Sequence, residues 1–151
     1  MLSAHAVTIR PLDTSDADML GELENRLEVR EYIGRVSKPP SGIFAIQFAG
    51  RTVGIVGIVQ TDSELEPTVK LICALLSDAE GKGLAEAACR RALASVPPSV
   101  RAIAAIKPGN TRSQRLAQRL GFVLSTAQRT EWGEEVWELS PAALAAHTAA
   151  G

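Results

Sequence analysis

The spacing of apolar positions divides the chain into elements. In "VTIRPL" apolar and polar residues alternate among β-branched ones, which predicts a strand with Val7 and Ile9 toward a core. The period changes in "DTSDADMLGELENRLEV". There Met19, Leu20, Leu23 and Leu27 form one helical stripe, Asp13 or Ser15 stands where a cap belongs, and Asp16 and Asp18 suit the positive end of the dipole. "REYIGRVSKPPSG", with Gly34, Pro39 and Pro40, reads as a surface connection. Phe44, Ile46 and Phe48 then alternate up to a turn at "AGR", and Val53 to Val59 run on from it, so this pair is a β-hairpin.

"TDSELEPTVK" carries the next turn. "TVKLICALL" is nearly continuous in apolar residues, the pattern of a central strand covered on both faces. After two glycines, Leu84, Ala88, Ala92 and Val96 recur every four residues while Lys82, Glu86, Arg90 and Arg91 form the charged side of a helix that ends before Pro97 and Pro98. "VRAIAAIK" is a second central strand, and "TRSQRLAQRLGF" a helix with Leu116 and Leu120 inward and Gly121 as its stop. The strand–helix–strand order predicts a crossover with the two strands parallel. "FVLSTAQ" and "EEVWELS" complete a last hairpin, and that hairpin and the "VWEL" strand offer an edge for a homodimer. The alanine-rich tail from about residue 141 is expected to fray.

Composition adds bounds. A chain of 151 residues with 46% hydrophobic and 22% charged residues suits one domain, residues 1–151. A formal net charge of -1 supplies no general attraction for nucleic acid or anionic lipid. No apolar run reaches bilayer-spanning length and the amino-terminal residues lack a secretory pattern, so the expected location is cytoplasmic. Cys73 and Cys89 sit in apolar segments and read as buried free thiols. His5 and His147 fall in the terminal segments, which leaves no histidine-based triad and no metal site.

The chemistry concentrates in "LLSDAEGKGLAEAACRRAL". A strand ending in a small-residue turn that opens a helix leaves several N–H groups without helical partners, and such a point attracts an anion, above all phosphate. Gly81 and Gly83 let a ligand approach the backbone, and Lys82 adds charge. Turn geometry alone also accounts for such glycines. The dinucleotide fingerprint fails because Glu86 stands at its third glycine, and no G-K-[ST] follows.

Taken with "N..S..L...LGF" in the next unit, "EGKGLA" resembles the GNAT (Gcn5-related) N-acetyltransferase family, whose glycine turn follows [QR]-x-x-G-x-[GA], here Glu80, Gly83 and Ala85. The serine form of the second motif is most similar to the branch that includes the ribosomal-protein N-terminal acetyltransferases. The resemblance covers Val7 to about Leu139. It implies an α/β fold: a single mixed β-sheet, flanked by helices, whose central parallel strands splay to admit acetyl-CoA as cosubstrate. It also implies pantetheine pairing around Leu75 and Leu76, and pyrophosphate on the N–H groups of Gly81, Lys82, Gly83, Leu84 and Ala85. Asn110 is carried over as a pantetheine contact, with a helix N-cap as its other reading, and Ser113 stands beside it. The acceptor implied is an amine, on a small molecule or a protein N-terminus.

Direct attack of an amine on a thioester needs a base, an oxyanion donor and a proton for the thiolate. Glu66 and Glu24 are the candidate bases. The tyrosine that many family members place seven residues after the asparagine is Ala117 here, which leaves Ser113 and Tyr32 as candidate hydroxyl donors. Glu80 stands where Gln or Arg is expected, and its charge opposes pyrophosphate unless it points away or pairs with Lys82 or an arginine. These two departures keep open a non-catalytic acetyl-CoA sensor or interaction module, and a purely structural domain.

Overall fold

The computed structural model describes residues 7–24, 42–61, 67–131 and 133–150. In chain order its elements are β1 (Thr8–Pro11), a 3-10 turn (Thr14–Asp16) leading into α1 (Ala17–Glu24), β2 (Ile43–Phe48), β3 (Arg51–Gln60), β4 (Thr68–Leu75), a second 3-10 turn (Ser77–Ala79), α2 (Leu84–Leu93), β5 (Arg101–Ile106), α3 (Thr111–Leu120), β6 (Phe122–Arg129), β7 (Glu135–Leu139) and α4 (Pro141–Ala150). The strands form one seven-stranded sheet in the order β1-β2-β3-β4-β5-β7-β6. It is the mixed α/β sheet expected, with β4 and β5 parallel and the other pairs antiparallel.

The periodicities place their residues well. Ala49 and Gly50, both at positive φ, make the two-residue turn between β2 and β3, the geometry whose twist matches paired strands. Leu84, Ala88, Ala92 and Val96 are all buried, in a core that α2, α3 and α4 share with one face of the sheet through Leu93, Ala117, Leu120, Trp137 and Leu144. The opposite face packs Ile55 and Leu76 against Met19 and Leu23 of α1. Truncating a residue as enclosed as Leu93, 0% exposed, costs about 2–5 kcal/mol.

Asp16 does more than favour a dipole. It is buried, receives two hydrogen bonds from Arg10 at 2.7 and 2.9 Å, and closes a capping box with Asp13. The Arg10 guanidinium holds its carboxyl below the usual range, outweighing the burial that pushes it up.

Four expectations are corrected. The alanine-rich tail is a docked helix: His147 is 7% exposed, and its Nε2 lies 2.6 Å from the Leu120 carbonyl, an acceptor that requires the imidazole to donate. The final hairpin does supply a sheet edge, but through its terminal strand β6 and not through "VWEL", because β7 lies between β5 and β6. β4 is not covered on both faces throughout; Val69 to Leu71, Cys73 and Ala74 are half-buried. Of the two thiols only Cys89 is buried, and its hydrogen bond with Cys73, then burial, push it up in pKa.

Candidate functional site

β4 and β5 are paired only at Thr68↔Arg101, Val69↔Ala102 and Lys70↔Ile103. Beyond Lys70, β4 continues to Leu75 while still paired with β3, so the two parallel strands part toward their C-terminal ends. Gly54 permits the close approach of β4 to β3 there: a Cβ at this position would lie on the Ala74 carbonyl and 2.9 Å from Leu75 Cα. Strand alternation decides which main-chain groups face the gap. Leu76 donates its N–H to Val53 O at 2.8 Å and accepts from Ala79 N at 2.9 Å, so its backbone is committed elsewhere. Leu75, one residue earlier, turns its peptide groups toward β5. Of the two expected positions, Leu76 thus has both its N–H and its carbonyl in hydrogen bonds on the side away from β5.

α2 and α3 each follow one of the parting strands, which brings their N-termini to the open end of the gap, with both dipoles presenting positive ends there. Gly81 and Gly83 have φ of 78° and 76°, the left-handed region that glycine enters without penalty. Among the described residues, the N–H groups of Gly81, Lys82, Gly83, Leu84 and Ala85 make no intramolecular hydrogen bond; the ladder of α2 begins with Ala87 N to Gly83 O at 3.3 Å. Leu84 anchors the turn by its side chain, 3% exposed, while Gly81, Lys82 and Gly83 are exposed. A Cβ added at Gly81 or Gly83 would meet nothing within 4 Å. The result is a row of N–H groups outside the helical ladder at a helix start, the arrangement that binds phosphate.

The Glu80 carboxylate, just before this turn, is ion-paired with Arg112 in the first turn of α3. Arg112 was not foreseen as a site residue. Its signal was the requirement that Glu80 find a cation, but nothing local selects a partner so distant in the chain. A second bridge locks the same helices: Glu86 accepts from Arg119 Nε at 2.6 Å and Arg90 Nε at 3.3 Å, and Arg90 Nη2 reaches the Arg119 carbonyl at 3.1 Å. Burial pushes the Glu86 carboxyl up, but the hydrogen bonds from Arg119 and Arg90 together hold it below its ordinary value.

Asn110 is the N-cap of α3, its Oδ1 accepting from Ser113 N at 3.2 Å. Ser113 is half-buried, and among the described residues its Oγ makes no hydrogen bond. Ala117 lies one turn further and is 4% exposed. Tyr32 and Glu66 lie outside the described residues. Pro67, which follows Glu66, sits at the closed end of the parallel pair, its carbonyl accepting from Arg101 N at 3.0 Å. Glu24 is the last residue of α1. No motif marked one further feature: β6 bulges between Leu124 and Arg129, enclosing with Glu135 a concavity of about 220 Å³. Glu135 is in register with Ile106, the last residue of β5, and accepts from Gln114 Nε2 at 2.9 Å.

Residues 28–123 match the family model described as an acetyltransferase (GNAT) domain. Among solved structures, a chimera of spermidine N-acetyltransferase SpeG from Vibrio cholerae and hSSAT superposes with a TM-score of 0.70 at 15% identity, covering 93% of this chain and 99% of that one. Spermidine N-acetyltransferase from Vibrio cholerae in complex with CoA and spermine gives 0.65 at 16%, covering 89% and 94%. Arabidopsis thaliana Naa50, in complex with the bisubstrate analogue CoA-Ac-MVNAL, gives 0.65 at 13%, covering 89% and 99%. No curated protein matches the sequence.

Proposed function

The chain belongs to the GNAT acetyltransferase family, and we propose that it is an acetyl-CoA-dependent N-acetyltransferase acting on a primary amine. One observation carries the reading: a parted β4–β5 pair and the unpartnered N–H groups from Gly81 to Ala85 meet at the same end of the sheet. The turn is suited to the pyrophosphate, with Lys82 adding charge. The Leu75 main chain is suited to pantetheine amides, and Asn110 and Ser113 stand on the α3 side of the gap. The solved structures with CoA or a CoA analogue bound support the choice of cosubstrate.

Acetyl-CoA supplies the electrophilic thioester carbon. The chain must present the amine unprotonated, so that its lone pair forms the C–N bond while the C–S bond breaks and sulfur leaves with the electron pair. The proton lost from nitrogen passes to a base, for which Glu66 and Glu24 are the candidates, and the thiolate takes a proton from Ser113, Tyr32 or water. N–H groups of the parted strand polarise the carbonyl. Ser113 is favoured as donor because its hydroxyl makes no hydrogen bond among the described residues.

The serine form of the second motif favours the ribosomal-protein branch, whereas the similar structures include a spermidine enzyme and Naa50. The acceptor is therefore best sought experimentally. Calorimetry with acetyl-CoA, then thiol release across polyamines and peptide N-termini, tests the reading; no heat of binding refutes it. Binding without turnover on any amine favours the sensor, the second reading, which Glu80 and Ala117 support. No described helix is long and apolar enough to cross a membrane. We read the chain as a single domain acting in the cytoplasm, with β6 as the edge available to a second copy.

A further inference from the structure

Among the described residues, the one buried side-chain polar atom without a hydrogen-bond partner is Trp137 Nε1. Its residue is 6% exposed. Buried donors are almost always paired, so an orphan in an otherwise satisfied core points to a partner that arrives from outside the chain.

Its place in the sheet says where that partner lies. Trp137 is opposite Ala104 of β5, and Ala104 is the first residue beyond the last β4–β5 pair, Lys70↔Ile103. The indole thus stands one strand away from the point where the gap opens. It belongs to the core cluster of the α2 and α3 face, together with Leu84, Ala88, Ala104 and Ala117. On that face β5 presents Ala102, Ala104 and Ile106, and α3 presents Ala117.

We propose that Trp137 Nε1–H is directed into the β4–β5 gap and donates a hydrogen bond to an amide carbonyl oxygen of the pantetheine arm of acetyl-CoA, a proposal that rests on the cosubstrate reading above. The indole nitrogen is a donor only and does not release its proton near neutral pH. Trp137 is therefore a binding residue that fixes the arm's position, and it is not the acid for the thiolate.

The test is the indole N–H resonance of Trp137 in proton–nitrogen NMR of the full chain, assigned by its survival in Trp132→Phe, with calorimetry on the same samples. With either CoA or acetyl-CoA at saturation the resonance is expected to move downfield, since both carry the pantetheine amides. Trp137→Phe is expected to bind CoA about fivefold more weakly, the loss typical of one neutral hydrogen bond, in a protein that still unfolds cooperatively, with a Tm lowered by the smaller ring. A resonance that stays put while calorimetry records binding overturns the proposal, and so does a shift seen with acetyl-CoA alone, which would place the bond on the thioester. Absence of any heat of binding overturns the cosubstrate reading itself.

Discussion

Replacing Glu80 by glutamine removes a carboxylate that immediately precedes the phosphate-suited turn and at the same time releases Arg112, its partner. With consecutive Cα atoms 3.8 Å apart, a phosphate on the Gly81–Ala85 donors lies about 7 Å from the Glu80 carboxylate. Two phosphate charges at that separation are repelled by about 1 kcal/mol at the dielectric of water, and by several times more at a partly screened surface. Arg112 cancels part of this while the pair is intact. Because Arg112 is 72% exposed and Glu80 25%, the lower figure applies. Glu80→Gln should accordingly tighten acetyl-CoA binding about fivefold. The gain should be larger at 10 mM salt, where the Debye length is about 30 Å, than at 0.15 M, where it is about 8 Å. The assay is calorimetric titration at both salt concentrations, repeated in an Arg112→Gln background. If the released arginine reaches the phosphates, most of the gain disappears there, and Arg112→Gln alone binds more weakly than the parent. Unchanged or weaker binding by a folded Glu80→Gln protein at low salt would refute the electrostatic reasoning, and would assign Glu80 a positive role in holding α3 against the turn.

Three further outcomes follow from the same geometry. Gly83→Ala forces a Cβ into the left-handed region at φ 76°, costing about 1–2 kcal/mol of stability; the methyl group enters the open space before the donors, so acetyl-CoA affinity should fall at least tenfold in a protein that still unfolds cooperatively, and intact affinity would exclude the turn as the phosphate site. Ser113→Ala should lower turnover and alter the pH-rate profile while leaving acetyl-CoA affinity unchanged, whereas an unaltered profile would transfer the donor role to Tyr32 or water. Asp16→Asn should lower the Tm at neutral pH, because the depressed carboxyl contributes stability that is full above its unfolded pKa of about 3.9 and is lost as pH falls through the lower folded value; the gap between parent and variant melting temperatures should shrink as pH falls below about 4, and a gap that stays constant across the acid range would mean the residue acts by packing instead of charge.

Local pattern determined a good deal of this protein. Strand and helix identities followed from periods of two and 3.6, since the backbone's choice between them depends on which positions within a few residues are apolar. For the same reason Val7, Leu84, Ala88 and Leu120 were legible as core. The glycine turn was legible because positive φ and missing helical partners are consequences of local geometry. With the glycine turn, "N..S..L...LGF" added a resemblance to the GNAT family, and at the level of the family the match bears it out.

Tertiary structure decided what depends on who meets whom. β6 and β7 were correctly paired as a hairpin, but a hairpin can be laid beside β5 by either of its strands, and the folded sheet places β7 there. Arg112 meets Glu80 and Arg119 meets Glu86 across segments with no periodic relation, because helix ends and faces converge only after the β4–β5 crossover has folded. The tail is docked by Leu144 in the core and by the buried bond of His147 to Leu120, which no alanine-rich composition announces. Leu75 and Leu76 looked equivalent in sequence, yet alternation against β3 turns their peptide groups to opposite sides. The site consists of such relations, set by long-range contacts whose free energy arises only when distant segments pack together.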